Sequence, residues 1–154
     1  RADPIRGCAA MRLGTMPYLC AGSPAFRAHW FPHGLTPAAL AKAPAVAFDQ
    51  RDDMHVSFMA RHFALAPGGY PCHTVRSSEA FVAMAEQGLA CCLIPELQIR
   101  QQLAQGLLLD LSPDLHLVER LYWHRWVLER GLHQKISQAI LQHGQHCLLP
   151  VVAP

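Results

Sequence analysis

Asp49, Asp52 and Asp53 place three carboxylates within five positions, enough negative charge to hold a cationic group. Helix capping and dipole complementation account equally well for Asp52 and Asp53, whereas Asp49 is the least explained by capping. Further along, Ser77 and Ser78 precede a stretch of helical periodicity. Their hydroxyls, with the first N–H groups of that helix, can receive a carboxylate, although ordinary N-capping uses the same atoms. A carboxylate receiver facing an acidic group is the arrangement a basic amino acid requires. In an open α/β sheet, ligands sit beyond the carboxyl ends of the strands. Here those ends are Phe48-Asp49-Gln50, Arg76-Ser77-Ser78 and Pro95-Glu96, which should gather on one rim.

Other chemistry is weaker. His29 and His33 have ligand-like spacing, but Pro32 breaks the helix that would align their rings. His143 and His146 fall on the polar side of a helix whose apolar stripe claims the nearby Cys147, so no metal site is expected. Cys72 and His73 are strand neighbours, which point to opposite faces and cannot readily form a thiol–imidazole pair. The sequence has no GxSxG elbow, no phosphate-binding GxxxxGK[ST] loop and no GxGxxG turn. No catalytic residue and no cofactor is therefore assigned, and the chain does not read as an enzyme.

The elements that must position the rim follow from the patterning of the 154 residues. They are 51% hydrophobic and only 16% charged, which excludes a disordered scaffold. Thirteen Lys and Arg against eleven Asp and Glu give +2, with no basic run, so this chain is not expected to bind nucleic acid itself. No apolar stretch reaches the roughly 18–20 residues that span a bilayer. The start lacks a leader pattern, and the six cysteines form no CxxC and lie mostly in apolar runs. Reduced thiols in a cytoplasm are expected, and position 1 reads as an internal cut.

Short apolar runs alternate with helical stretches, the pattern of an α/β fold with a mainly parallel sheet. Strands are expected over 16–21, 45–48, 72–75, 89–94 and 117–126, with a short apolar run at 107–111. Ser23-Pro24 and Thr36-Pro37 each pair an N-cap with proline at the first helical position. A helix over 54–63, capped by Asp52-Asp53, should bury Val56, Met59, Ala60 and Phe63. Another after Ser77-Ser78 should bury Phe81, Met84 and Ala85 and stop at Gly88. A helix starts at Pro95, and a last one over 129–147 carries Leu132, Ile136, Ile140 and Cys147 as its apolar stripe.

Several stretches carry a family resemblance. The passage Pro17-Tyr18-Leu19-Cys20-Ala21-Gly22-Ser23-Pro24-Ala25-Phe26, with Ser78-Glu79-Ala80-Phe81, Gln87-Gly88-Leu89-Ala90 and Leu93-Ile94-Pro95, resembles the effector-binding domain of LysR-type transcriptional regulators. Three stretches are more specific. They are Ala43 to Asp49 with Asp52-Asp53-Met54-His55, then Pro71-Cys72-His73 with Ser77 to Val82, and Cys91 to Pro95 with Leu121-Tyr122-Trp123-His124-Arg125. These resemble the arginine- and lysine-responsive branch that controls amino-acid export, also described as inhibitors of chromosome initiation.

The resemblance implies a fold like type-II periplasmic binding proteins, with two α/β lobes joined by crossing strands and a small effector, lysine or arginine, in the cleft. It also implies dimers or tetramers of the full-length protein and promoter contact through an N-terminal winged helix-turn-helix. Family members begin with that domain and a linker helix. Residues 1–15 are accordingly expected to be a remnant of the first lobe, 16–122 a nearly complete second lobe with a mixed sheet flanked by helices, and 123–154 a return strand and helix of the first lobe. Leu132, Ile136 and Ile140 should then be incompletely covered. Phe48, Asp49, Asp53, Ser77, Ser78 and Glu79 are the candidate ligand-binding residues. A transport-type solute-binding protein is the alternative function on the same fold, and a hydrolase built on Cys72 or His73 ranks last.

Overall fold

A computed structural model describes residues 1–49 and 53–150. Contacts divide the chain into two units, one of Tyr18–Leu117 and one of Arg1–Pro17 with the chain from Val118 onward. A single strand, β1 (Cys8–Gly22), contributes to both, and is longer than the expected 16–21.

In the Tyr18–Leu117 unit, α1 (Pro24–Trp30) and α2 (Pro37–Leu40) start as the Ser-Pro and Thr-Pro pairs dictate. Ser23 Oγ accepts from Phe26 N at 3.2 Å and Thr36 Oγ1 from Ala39 N at 3.2 Å. There follow β2 (Ala45–Ala47), α3 (Asp53–Phe63), β3 (Cys72–Thr74), α4 (Ser78–Glu86), β4 (Cys91–Pro95), α5 (Glu96–Ala104) and β5 (Leu109–Asp110). The sheet order is β3-β2-β4-β1-β5. β2 runs parallel to β3 and β4, with Ala45 opposite both Cys72 and Cys91. β1 is antiparallel to β4, Tyr18 opposite Pro95 and Ala21 opposite Cys92, and antiparallel to β5. The sheet is thus mixed rather than mainly parallel.

Strand residues sort by the two-residue period into two cores. Cys20, Ala45, Cys91 and Leu93 face a layer holding Phe26, Phe31, Leu40, Phe58, Met59 and Phe63 from α1, α2, α3 and their loops. Leu19, Ala21, Val46, Cys92 and Ile94 face Phe81, Ala85 and Ile99 from α4 and α5. Covered on both faces, β4 needs the uninterrupted apolar run it has. Burial pushes the Cys92 thiol pKa up. The hydrogen bond between the Cys20 and Cys91 thiols, with burial, does the same for Cys20. Among the described residues, which include all six cysteines, no disulfide forms.

The phase of α3 differs from the expected one. Its buried residues are His55, Phe58, Met59 and Phe63, while Val56 is half-buried and Ala60 exposed. Turning the helix inward at Phe58 buries a far larger apolar surface than turning it at Ala60, and burial scales with area. In α4, Phe81 and Ala85 are buried and Met84 half-buried. The start of that helix is closed locally: Ser77 Oγ accepts from Ala80 N at 3.2 Å and donates to Glu79 Oε2 at 2.9 Å. Glu79's own backbone N–H and the Ser77 hydroxyl hold its carboxyl below the usual glutamate range. The expected cap Asp52 lies outside the described residues.

In the other unit, β6 (Leu117–Trp126) pairs with β1, and Thr15 bridges to Leu149. α6 (Leu132–Cys147) starts three residues later than expected and buries a different face. Its buried positions are Ser137 and Gly144. At Gly144 an added Cβ would approach Leu13 Cδ2 to 3.1 Å, so the small residue permits close approach to β1. Ser137 Oγ accepts from Trp123 Nε1 at 2.9 Å and donates to Glu129 Oε2 at 2.8 Å; Glu129 also pairs with Arg125 at 3.0 Å. The expected stripe is left outward, with Leu132 70% and Ile136 45% exposed and Ile140 half-buried.

Two stability outcomes follow. Phe58→Ala should cost about 3–5 kcal/mol in denaturant unfolding, whereas Ala60→Ser should stay within about 0.5 kcal/mol; equal costs would restore the phase centred on Ala60. Ser77→Ala should cost about 1 kcal/mol at neutral pH. Because Glu79's native pKa is lowered, its contribution is complete above the usual glutamate range. That contribution fades as pH falls through the native value, so the Ser77→Ala penalty should shrink in acid.

Candidate functional site

The carboxyl ends of β2 and β4 and the first turns of α3, α4 and α5 surround a cavity of about 400 Å³, within the size range of small-molecule sites. β2 and its continuation supply Val46, Phe48 and Asp49. The first turns supply Met54 and His55 from α3, Ser78 and Phe81 from α4, and Gln98 from α5. β4 supplies Leu93 and Pro95, and β1 supplies Tyr18 beside Pro95. The walls are chiefly apolar. Phe48, 44% exposed, stands edge-on to Phe81 with ring centroids 6.4 Å apart.

Three of the six expected residues, Phe48, Asp49 and Ser78, line this cavity together. Asp53 opens α3 on its exposed side and is not in the lining, and Ser77 and Glu79 are engaged with each other at the start of α4. Of the expected rim, Arg76 lies 4.0 Å from Asp49 with its side chain 75% exposed, a solvent-screened pair of small energetic weight. Gln50 lies outside the described residues. Tyr18, His55, Phe81 and Gln98 were not anticipated. The available signal for His55 and Gln98 is their place in the first turn of a helix that follows a strand, where side chains reach back over the strand end.

The charge within the cavity's lining is acidic, with Arg76 reaching Asp49 from outside the lining. Asp49 is the cavity's one carboxylate among the described residues, and no Lys or Arg lines it. Gln98 Nε2 donates to the Ser78 carbonyl at 3.0 Å, tying α5 to the start of α4. Such a site can hold a small ligand with a cationic end, flanked by aromatic and aliphatic walls.

Elsewhere, Cys147 is half-exposed with its Sγ 3.3 Å from His143 Nε2, so the thiol is not claimed by an apolar stripe as expected. Its helix turns the Ser137–Gly144 face inward instead. Among the described residues no group of three or more His, Cys, Asp or Glu gathers as a metal set, and no helix is long and apolar enough to cross a membrane. Cys72 Sγ faces the His73 backbone carbonyl at 3.7 Å.

Comparison with known proteins places these features. The family described as LysR substrate binding domain matches residues 3–146. The chain is 76% identical over 148 residues to the HTH-type transcriptional regulator ArgP of Aeromonas salmonicida, covering 96% of this chain and 50% of that protein. It is 52% identical over 146 residues to the ArgP of Erwinia tasmaniensis, covering 95% and 49%. It thus spans about half the length of the curated relatives it matches. Among solved structures, ArgP from Mycobacterium tuberculosis superposes with a TM-score of 0.88 at 30% identity, covering 98% of this chain and 51% of that one. Full-length LysG from Corynebacterium glutamicum with bound effector Arg superposes with a TM-score of 0.82 at 27% identity, covering 97% and 50%. The open mixed sheet flanked by helices is the type-II periplasmic-binding-protein-like architecture of these structures, and the chain belongs to the LysR substrate-binding domain family.

Proposed function

We propose that this chain is the effector-sensing part of a LysR-type transcriptional regulator that responds to a basic amino acid, arginine or lysine. The observation that carries the reading is the Asp49 carboxylate in an aromatic-walled cavity, where its contact with the exposed Arg76 at 4.0 Å is solvent-screened and open to exchange for a ligand cation. The ligand's cationic side chain would pair with Asp49, and its methylenes would lie along Phe48 and Phe81. Its α-carboxylate would approach the Ser78 hydroxyl at the amino end of α4, on the side the helix dipole favours for an anion, the Glu79 and Ala80 N–H groups being taken by the Glu79 carboxyl and Ser77. The arginine in the LysG structure and the 76% identity to an ArgP support this chemistry over a transport-type receptor.

In the same reading, residues 1–15 and 123–154 belong to a first effector lobe and 16–122 to a second. The protein works in the cytoplasm as a homodimer or tetramer. Promoter DNA is contacted by a helix-turn-helix of the kind the relatives' names carry. Effector occupancy acts by favouring one of two assembly states, which requires different affinity for the two.

Calorimetric titration tests the reading on the protein expressed from its native reading frame, with L-arginine, L-lysine and L-glutamate as ligands. At least one basic amino acid should bind and glutamate should not. Asp49→Asn should weaken binding by about tenfold or more, equivalent to about 1.4 kcal/mol, and salt should weaken it further. Absence of binding by both basic amino acids, or an Asp49→Asn protein that titrates like the parent, would overturn the proposal.

A further inference from the structure

We propose that Gln98 is a specificity-determining residue of this cavity, its amide oxygen accepting a hydrogen bond from the α-ammonium of the bound amino acid. The inference rests on the effector reading above and assigns the one end of the ligand that reading leaves without a partner.

Gln98 is the third residue of α5 and lines the cavity. Its amide has one donor face and one acceptor face, and the structure determines which is which. The Ser78 carbonyl, 3.0 Å away, can only accept, so the –NH₂ must point to it; the reverse orientation would set two oxygens against each other. With Nε2 held at the Ser78 carbonyl, Gln98 keeps its amide oxygen as an acceptor and its second N–H as a donor. The tie to the Ser78 carbonyl holds Gln98 beside the first residue of α4, where the effector reading would seat the ligand's carboxylate. In any α-amino acid the ammonium is carried on the carbon adjacent to that carboxylate, so a ligand anchored at Ser78 brings its ammonium to the Gln98 oxygen. Asp49 is then left for the side-chain cation.

The other polar side chain of this turn does not compete. Glu96 is paired with Arg100 at 3.4 Å and is not part of the lining. An acceptor bonded to an ammonium gives a charge-assisted hydrogen bond, stronger than a neutral one and unavailable to a ligand without the amino group.

The test compares L-arginine with 5-guanidinopentanoate, which is arginine lacking its α-amino group, on the protein expressed from its native reading frame. The parent should prefer arginine at least tenfold. Gln98→Leu should cut that preference at least fivefold by weakening arginine, while guanidinopentanoate affinity stays within twofold. Gln98→Asn, which pulls the acceptor back by one methylene, should fall between the two and carries the measurement if the Leu variant does not fold. A variant that weakens both ligands by the same factor would mean that Gln98 only ties α5 to α4, and would overturn the proposal; an unchanged preference would do the same. If arginine binding is lost in Asp49→Asn while the preference ignores Gln98, this inference alone fails. If the parent binds neither arginine nor lysine, the effector reading fails with it.

Discussion

Strand β4 is the constraint from which the rest of the Tyr18–Leu117 unit follows. Cys91, Cys92, Leu93 and Ile94 are all buried, alternately on one face of the sheet and the other. A strand covered twice needs a neighbour on each edge and a helical layer on each side, because any uncovered face would leave apolar surface in water and any uncovered edge unpaired backbone groups. β2 and β1 supply the edges, parallel and antiparallel respectively. α1 to α3 cover one face, and α4 and α5 the other.

That arrangement also makes the cavity. The parallel strands β2 and β4 end on the same side of the sheet, and the helices that bear on those ends begin there: α3 after β2, α4 after β3 and α5 after β4. Three first turns therefore meet over two strand ends without any residue being selected for that purpose. What distinguishes this chain is the set of side chains at the meeting point. Asp49, Ser78 and Gln98 give it polar groups, and Phe48 and Phe81 give it an apolar wall.

Elements fixed by local chemistry were legible in the sequence. Ser23-Pro24 and Thr36-Pro37 start helices because cap and proline act within four residues, and β6 spans Leu117–Trp126, the strand expected to end in the aromatic cluster Tyr122, Trp123 and Trp126. The strand-end rule points to Phe48, Asp49 and Ser78, and these three line one cavity. Helix faces were less legible, since α3 and α6 each offer two plausible stripes and packing chooses between them. Phe58 outweighs Ala60 by area in α3, and in α6 the small Gly144 wins because β1 comes close. Gln98 could not be read ahead because its meaning depends on a carbonyl twenty positions away.

The distribution of the cysteines has a practical corollary. Cys20, Cys91 and Cys92 are sealed within the two cores, with the thiols of Cys20 and Cys92 held in the unreactive protonated form, whereas Cys72 is exposed and Cys8 and Cys147 are half-buried. The molecule thus carries two populations of sulfur, one addressable while folded and one reached only when the sheet parts. Alkylation followed by mass would register opening of the sheet as adducts beyond the first three, giving the protein an intrinsic clock for its own unfolding with no label introduced.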